Sequence, residues 1–320
     1  MQKIMSLIVL IFTTIIAAAQ DSASVSTIKI AGTRFTYPIV QKWIDEYAKI
    51  NPSVKIRIET KVPADSLDIL IVSHILRAGD VKANHASVTL NRYILLPVVN
   101  SERSDLEQLQ QKGITADRWK QIFFTNGQSN FNSAGGNEWI VYKREKPSCS
   151  SIAFANHFGN EQKDIRGIPV PGDDRDLLAV VKKDKNAISY NSPGIIYNIK
   201  SRKLVDSVAI VPIDLNNNGV IDAKEKIYAT LDDLLSYTER TNDPSIPVDQ
   251  VHAIYNSKPG KEVTEFLSWI LAKGQQYNHE YGFLNPDAHT IQSEKNQLVT
   301  AVLKSCSPSG TQLVKYAVSK

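Results

Sequence analysis

Short apolar segments alternate with amphipathic segments along the chain, and this alternation is the feature that most limits the possible folds. Apolar runs of about four to eight residues suit buried strands, whereas apolar residues spaced three and four apart suit helices. The strand candidates are Val54–Glu59, Leu67–Val72, Ser87–Val99, Trp139–Lys143 and Val208–Ile213. The helix candidates are Leu106–Phe124, Ile152–Phe158, Leu177–Lys182, Leu231–Tyr237 and Val263–Tyr281. This order predicts an α/β fold with largely parallel or mixed sheets.

The N-terminus has the pattern of a secretion signal. Lys3 supplies a basic start, residues 4–16 form an apolar run, and Ala17–Ala19 offer small residues for cleavage. The run is shorter than the roughly 20 apolar residues that span a bilayer. No cysteine follows the cleavage site, which argues against a lipid anchor. We therefore expect a signal peptide at residues 1–19 and a mature protein that is soluble, exported and periplasmic.

Length and charge restrict the architecture and the partners. A mature chain of roughly 300 residues is too long for one comfortable core, which predicts two lobes. The chain is 42% hydrophobic and 22% charged, and its formal net charge is +4. Because the positive residues form no Lys/Arg run, we expect no nucleic acid as a partner. A mild positive excess suits an anionic ligand, although it also suits simple surface solubility.

The sequence lacks the common patterns of catalytic and metal-dependent enzymes. We find no G-x-S-x-G motif and no paired carboxylates with a partner histidine. The six histidines have no zinc-ligand spacing. We therefore expect no enzyme activity and no required cofactor. The two cysteines, Cys149 and Cys306, could form a disulfide in an exported protein, but two cysteines do not make a disulfide scaffold.

Residues 28–43, IKIAGTRFTYPIVQKW, predict a strand, a tight turn and a helix. Ile28 and Ile30 suit a buried strand, Gly32 permits the turn, and the apolar residues after Pro38 recur at helical spacing. A helix that begins at this turn presents free N–H groups and a partial positive charge, which suit a bound anion. An ordinary βα unit without a ligand fits the same pattern.

The segment DLNNNGVIDAKE, residues 214–225, meets every position of the calcium-loop pattern. Its predicted ligands are Asp214, Asn216, Asn218, the carbonyl of Val220, Asp222 and Glu225. Gly219 occupies the position of the sharp turn. A strand precedes the loop where an EF-hand has a helix, and the two asparagines lower the charge of the site. We expect a weak structural Ca²⁺ site, with a metal-free Asn-rich turn as the alternative.

Several segments together resemble the phosphate-binding proteins that serve phosphate ABC transporters. The first ligand loop of that family, Gly-Ala-Thr-Phe-Pro-Ala-Pro followed by a helix with Lys-Trp, is matched by Gly32, Phe35, Pro38, Lys42 and Trp43. Further similar segments are LDILIVSH at 67–74, the helical segment at 106–124, REKPSCSS at 144–151 and the C-terminal helix and turn at 266–286. These matches occur in family order over nearly the whole mature chain.

The resemblance implies a two-lobed periplasmic-binding-protein-like fold with two hinge crossovers. Lobe 1 would comprise residues 21–90 plus 253–320, and lobe 2 residues 91–252 with the calcium-loop-like insertion at 214–225. A monomer would capture phosphate or a related oxyanion between the lobes and deliver it to a membrane ABC permease. Because a Cys149–Cys306 bridge would cross between the lobes and hinder closure, we expect free thiols.

The resemblance also implies a set of ligand-binding residues. These are Thr33, Arg34, Phe35, His74, Arg144, Ser148, Cys149 and Ser150. Arg144 would form a charge-assisted contact with phosphate oxygens, and two hydroxyls would remain in place of the family's Ser-Gly-Thr.

Three positions depart from the family pattern. Arg34 stands where the family has a ligand-contacting Thr, and His74 stands where it has the Asp that accepts a hydrogen bond from protonated phosphate. The family's Gly-Ser-Ser-Gly-Gly loop is replaced by Thr60–Ser66. The departures leave two alternatives open: a protein of this fold with an altered or lost anion site that acts as a sensor or structural module, and a secreted phosphatase-type hydrolase.

Overall fold

The computed structural model describes residues 26–125 and 138–306, with the side chains of residues 301–306 excepted. The predicted signal peptide at residues 1–19 and the side chain of Cys306 therefore lie outside the described part. Within the described ranges, no helix combines the length and the apolar composition needed to cross a membrane.

Two five-stranded mixed sheets organise the chain. The first contains, in spatial order, β2 (Lys55–Ile58), β1 (Thr27–Gly32), β3 (Ile69–Val72), β10 (Val248–Asn256) and β4 (His85–Ile94). The second contains β7 (Ile168–Val170), β6 (Ile140–Arg144), β8 (Ala187–Asn191), β5 (Leu96–Asn100) and β9 (Val208–Ile210). In each sheet three parallel strands are followed by an antiparallel strand. The predicted α/β class and two-lobed fold are confirmed.

Helices connect and cover the strands. They are α1 (Tyr37–Ala48), α2 (Leu106–Lys112), α3 (Ala116–Phe124), α4 (Cys149–His157), α5 (Asp174–Val181), α6 (Pro193–Ile196), α7 (Leu231–Thr241), α8 (Lys261–Ala272) and α9 (Ala288–Cys306). The single helix expected at Val263–Tyr281 is wrong in its length. α8 ends at Ala272, and two 3₁₀ turns follow, Gly274–Tyr277 and His279–Tyr281.

The first strand and helix form as their sequence predicts. Ile28 and Ile30 are buried in β1, and α1 begins with Pro38 in its first turn, where a missing N–H costs nothing. The helix buries one stripe that includes Trp43 and Tyr47. The Trp43 indole N–H donates to the Gly274 carbonyl oxygen over 2.9 Å, which fixes α1 against the end of α8.

Two passages of the chain link the sheets. β4 ends at Ile94 and β5 begins at Leu96, so the first passage takes a single residue. The chain returns before Val248, where β10 begins to pair with β4 in antiparallel register. Residues 91–94 and 248–252 therefore pair within the first sheet, although the prediction counted them in the second lobe.

Candidate functional site

A cavity of about 660 Å³ lies where the carboxyl ends of β1, β3, β6 and β7 meet. Both lobes contribute to its wall. Its polar lining includes Thr33, Arg34, Arg144, Ser148, Cys149, Ser150, Asp173 and Asp174. Open α/β sheets commonly bind ligands at the carboxyl ends of their strands, because the loops and helix N-termini there present free N–H groups. Phe35 also belongs to the wall. Seven of the eight predicted ligand residues therefore line this one cavity, and the exception is His74.

Gly32 sets the path of the first loop. Its φ of +140° and a Cβ position only 2.0 Å from the Ile71 carbonyl oxygen leave no room for a side chain. The Thr33 amide then donates to that same oxygen over 3.0 Å, which holds the loop against β3. The ring of Phe35 packs on Tyr93 and Phe283, with ring centroids 4.8 and 6.0 Å away. Its side chain therefore anchors the loop against the first lobe.

Arg144 is the buried cation of the site. Its side chain is 8% exposed, and its Nε lies 3.4 Å from Asp174 Oδ1. The guanidinium also donates to the Gly172 carbonyl oxygen. Its Nη1 is buried and has no hydrogen-bond partner among the described residues. A buried donor without an acceptor costs free energy, so an anion or another acceptor that reached Nη1 would stabilise the site.

Serine hydroxyls surround the start of α4. The Ser148 hydroxyl caps the helix by accepting the Ser151 N–H over 3.2 Å, and it lies 3.1 Å from the Ser150 hydroxyl. Ser150 donates to Asp174 Oδ1 over 3.0 Å. The predicted residues Ser148 and Ser150 are thus brought together with Arg144, but both already take part in a network that includes Asp174.

Asp173 and Asp174 were not predicted as site residues. They lie at the start of α5, where Asp173 caps the helix by accepting the Arg175 N–H over 2.9 Å. Burial raises the pKa of Asp174, while Arg144 and Ser150 act in the opposite direction. The sequence PGDDRD carries a capping signal that could have located the helix start, but only the fold shows that this start faces Arg144.

Arg34 lies at the rim of the cavity. Its side chain is 66% exposed, and its Nη1 lies 3.9 Å from Asp173 Oδ2 across the cleft. This position lets Arg34 attract an anion from solvent. Screening by water keeps its pairing with Asp173 weak.

Cys149 and Thr33 form a contact between the lobes, and His74 influences the same sulfur. Thr33 Oγ1 donates to Cys149 Sγ over 3.1 Å. Burial raises the pKa of the Cys149 thiol, but hydrogen bonds with His74, with Thr33 and with the Ser73 backbone outweigh it and leave the pKa below its ordinary value. The hydrogen bond with Cys149 raises the pKa of His74, against the effect of burial. His74 itself lines a neighbouring cavity, so it is the one predicted ligand residue that does not line the predicted site.

The predicted calcium loop folds into a closed turn that follows the spacing of its motif. Asp214 Oδ1 and Oδ2 accept the amides of Asn218 and Gly219 over 3.2 and 2.8 Å. Glu225 Oε1 and Oε2 accept the amides of Leu215 and Asp222, each over 2.8 Å.

Left-handed backbone at Asn217 and Gly219 completes the turn. Among the described residues no group of three His, Cys, Asp or Glu side chains is arranged to hold a metal ion. An ion in this loop would therefore also need the amide oxygens of Asn216 and Asn218 and the carbonyl of Val220.

Three solved structures share this fold over most of the chain. A candidate phosphate ABC transporter substrate-binding protein from Clostridium perfringens, with bound phosphate, has a TM-score of 0.62 and 19% identity, and covers 82% of this chain and 100% of its own. An ABC-type phosphate transport receptor from Vibrio cholerae has a TM-score of 0.57, 19% identity and the same coverage. A candidate phosphate-binding protein from Planctomyces limnophilus has a TM-score of 0.52 and 16% identity, and covers 87% of this chain and 100% of its own.

The predicted resemblance is therefore confirmed at the level of the fold. No protein-family model matches this chain, and no curated protein sequence matches it either.

Proposed function

We propose that this chain is an exported solute-binding protein that captures phosphate or a related oxyanion between its two lobes. The observation that carries the proposal is Arg144, which lines the cavity and whose buried Nη1 has no acceptor among the described residues. A bound phosphate would accept from that nitrogen, and a charge-assisted hydrogen bond of this kind is about twice as strong as a neutral one. Delivery to a membrane ABC permease extends the proposal from the similar solved structures, two of which are described as ABC transport proteins.

The composition of the wall favours a small, protonated oxyanion. The start of α4 and the loop after Gly32 both present backbone amides near the cavity, and Arg144 supplies one positive charge. Asp174 partly neutralises that charge at 3.4 Å, so the site is less positive than its arginine alone suggests. Such a site suits an anion that brings its own proton, because the proton can be donated to an acceptor in the wall.

Calorimetry with protein freed of carried-over anions tests the proposal. We expect phosphate to bind. In a screen of sulfate, molybdate, arsenate and pyrophosphate, we expect each anion to bind with an affinity equal to or lower than that of phosphate. Arg144→Gln should lower phosphate affinity by about 100-fold or more, since one charged partner of a buried anion is lost. Arg240→Gln provides the matched control, because Arg240 lies over Tyr237 on α7 and outside the cavity.

Three results would contradict the proposal. Binding of none of these anions would favour a structural or sensory module with a lost site. Turnover of a generic phosphoester would favour the hydrolase alternative. Equal affinity in Arg144→Gln and Arg240→Gln would show that the anion binds elsewhere.

We also propose that the loop at residues 214–225 binds a structural calcium ion. The support is the complete match to the motif together with the fold of the loop, in which Asp214 and Glu225 are buried and turned inward. Because the loop lies in the second lobe and does not line the cavity, we assign the ion a role in stability and none in anion binding.

A further inference from the structure

Cys149 occupies an unusual position for a cysteine. It is the first residue of α4, it lines the cavity, and it is partly exposed there. It is a free thiol. A reagent small enough to enter the cavity can therefore reach the sulfur.

The surroundings of the sulfur favour its ionised form. Thr33 Oγ1 donates to Sγ over 3.1 Å, and the partial positive charge at the start of α4 acts on it as well. His74 of the other lobe also lowers the pKa of Cys149, and its Nε2 lies 3.5 Å from Asp80 Oδ2. Asp249 on β10 also favours a protonated His74. Asp80 and Asp249 favour the protonated form of His74, and the influence of His74 in turn lowers the pKa of Cys149.

Arg144 supplies an independent sign that this cavity receives negative charge. Its side chain is 8% exposed and its Nη1 has no partner among the described residues. Arg144 and Cys149 line the same cavity. A negatively charged group formed on the sulfur would thus compete with a bound anion for the same cation.

We propose that Cys149 is a peroxide-sensitive thiol whose oxidation closes the anion site. The sulfur of the thiolate attacks one oxygen of hydrogen peroxide and the O–O bond breaks. Hydroxide leaves and takes a proton to become water, so the sulfur loses two electrons to the peroxide. The product is a sulfenic acid, with one oxygen added to Sγ.

The added oxygen has two effects on anion binding. It fills space beside Thr33 and the start of α4, and in its ionised form it places a negative charge near Arg144. A small thiol reverses the change: one molecule forms a mixed disulfide with release of water, and a second restores Cys149 and leaves as the oxidised disulfide. This closing effect rests on the proposed anion-binding function, whereas the reactivity of the thiol does not.

The experiment treats the purified full chain with hydrogen peroxide and traps sulfenic acid with dimedone. Peptide mass spectrometry then compares the labelling rates of Cys149 and Cys306. We expect Cys149 to be labelled about tenfold faster, and phosphate to protect it. Calorimetry before and after peroxide should show phosphate affinity fall by about tenfold or more and return with dithiothreitol.

Three variants sharpen the result. Cys306→Ser should respond like the parent, and Cys149→Ser should show the same phosphate affinity before and after peroxide. His74→Asn should slow the labelling of Cys149 at neutral pH, because the neighbouring positive charge is removed.

Each adverse result identifies a different error. If Cys149 is labelled no faster than Cys306, the proposal that Cys149 is an activated thiol is wrong. Complete oxidation of Cys149 with unchanged phosphate affinity would overturn the closing effect. Absence of phosphate binding before any peroxide is added would overturn the proposed function and the closing effect with it, while fast labelling of Cys149 would still establish the activated thiol.

Discussion

The proposed anion cleft and the calcium-type loop satisfy their polar groups in opposite ways. In the loop, Asp214 and Glu225 receive backbone amides from within the same twelve-residue segment. In the cleft, Arg144 keeps a buried nitrogen without a partner among the described residues. Because these hydrogen bonds already hold the loop, we expect an ion to add only an increment of stability. A cleft with an unpaired donor gains most from its ligand.

The two regions also differ in what their glycines must do. Gly32 in the cleft has φ +140° and a Cβ position 2.0 Å from the Ile71 carbonyl oxygen. Gly219 in the loop has φ +80° and nothing within 4 Å of its Cβ position. Gly32 is required both by its backbone conformation and by the lack of room for a side chain. Gly219 is required by its backbone conformation alone.

The largest expected effect follows from that difference. Gly32→Ala should lower the free energy of unfolding by about 3 kcal/mol or more, because backbone strain and overpacking act together. Gly219→Ala should cost about 1 kcal/mol, the price of a left-handed residue without a clash. Urea denaturation of both variants at one calcium concentration measures the two costs. Equal losses would show that the first loop moves away from Ile71 to admit the methyl group.

Calcium should stabilise the loop by a smaller amount. A saturating ligand at 100 times its dissociation constant adds about 2.7 kcal/mol to the free energy of unfolding. Glu225→Gln keeps an acceptor for the Leu215 amide but removes the carboxylate charge, so it should lose most of this gain. Thermal melts of parent and variant in calcium and in chelator provide the measurement.

The structure also predicts the behaviour of a harsher change. Glu225→Ala should be destabilised in chelator as well, because the amides of Leu215 and Asp222 lose their acceptors. The informative quantity is therefore the difference between the stability that a variant loses in calcium and the stability that it loses in chelator. If Glu225→Gln loses the same stability with and without calcium, the segment is a turn without an ion.

Anion selectivity should depend on pH through His74. Hydrogen bonding to Cys149 raises the pKa of His74 above its ordinary value near 6.5. Below the raised pKa the imidazolium adds a positive charge near the cleft, so sulfate should compete better with phosphate. Above the raised pKa this charge is lost. The ratio of phosphate affinity to sulfate affinity should then be several-fold higher, because phosphate brings a proton.

Competition calorimetry between about pH 5.5 and 8 measures this dependence. His74→Asn should flatten it without restoring phosphate preference, whereas His74→Asp should both flatten it and restore the preference. A parent whose selectivity does not vary with pH, and which both substitutions leave unchanged, would place His74 outside the influence of the anion.

The smallest expected effect concerns the rim. Arg34 is 66% exposed and lies 3.9 Å from Asp173, so Arg34→Ala should change the free energy of unfolding by less than about 1 kcal/mol. Its effect should appear in the rate of phosphate association at low salt, which should fall by a few-fold, and disappear at high salt. Stopped-flow measurements at two ionic strengths test this, and a salt-independent loss would indicate direct contact with the bound anion.

The sequence by itself determined the features that depend on neighbouring residues. Helical spacing after Pro38 and the apolar strand before Gly32 predicted β1 and α1. The motif at residues 214–225 predicted a turn whose carboxylates Asp214 and Glu225 accept amides from within it. Such patterns are readable because strand and helix periodicity, turn chemistry and side-chain-to-backbone bonds act over a few residues.

Only the tertiary structure decided what faces the cleft. β10 was missed because Asp249, Gln250 and His252 interrupt its apolar pattern, and its partners β3 and β4 lie far away along the chain. Thr33 and Cys149 meet across 116 positions. Asp174 at the start of α5 reaches Arg144 at the end of β6, which moderates the charge of the proposed anion site. Contacts between distant segments leave no periodic trace in the sequence, since they are selected by the packing of two whole lobes.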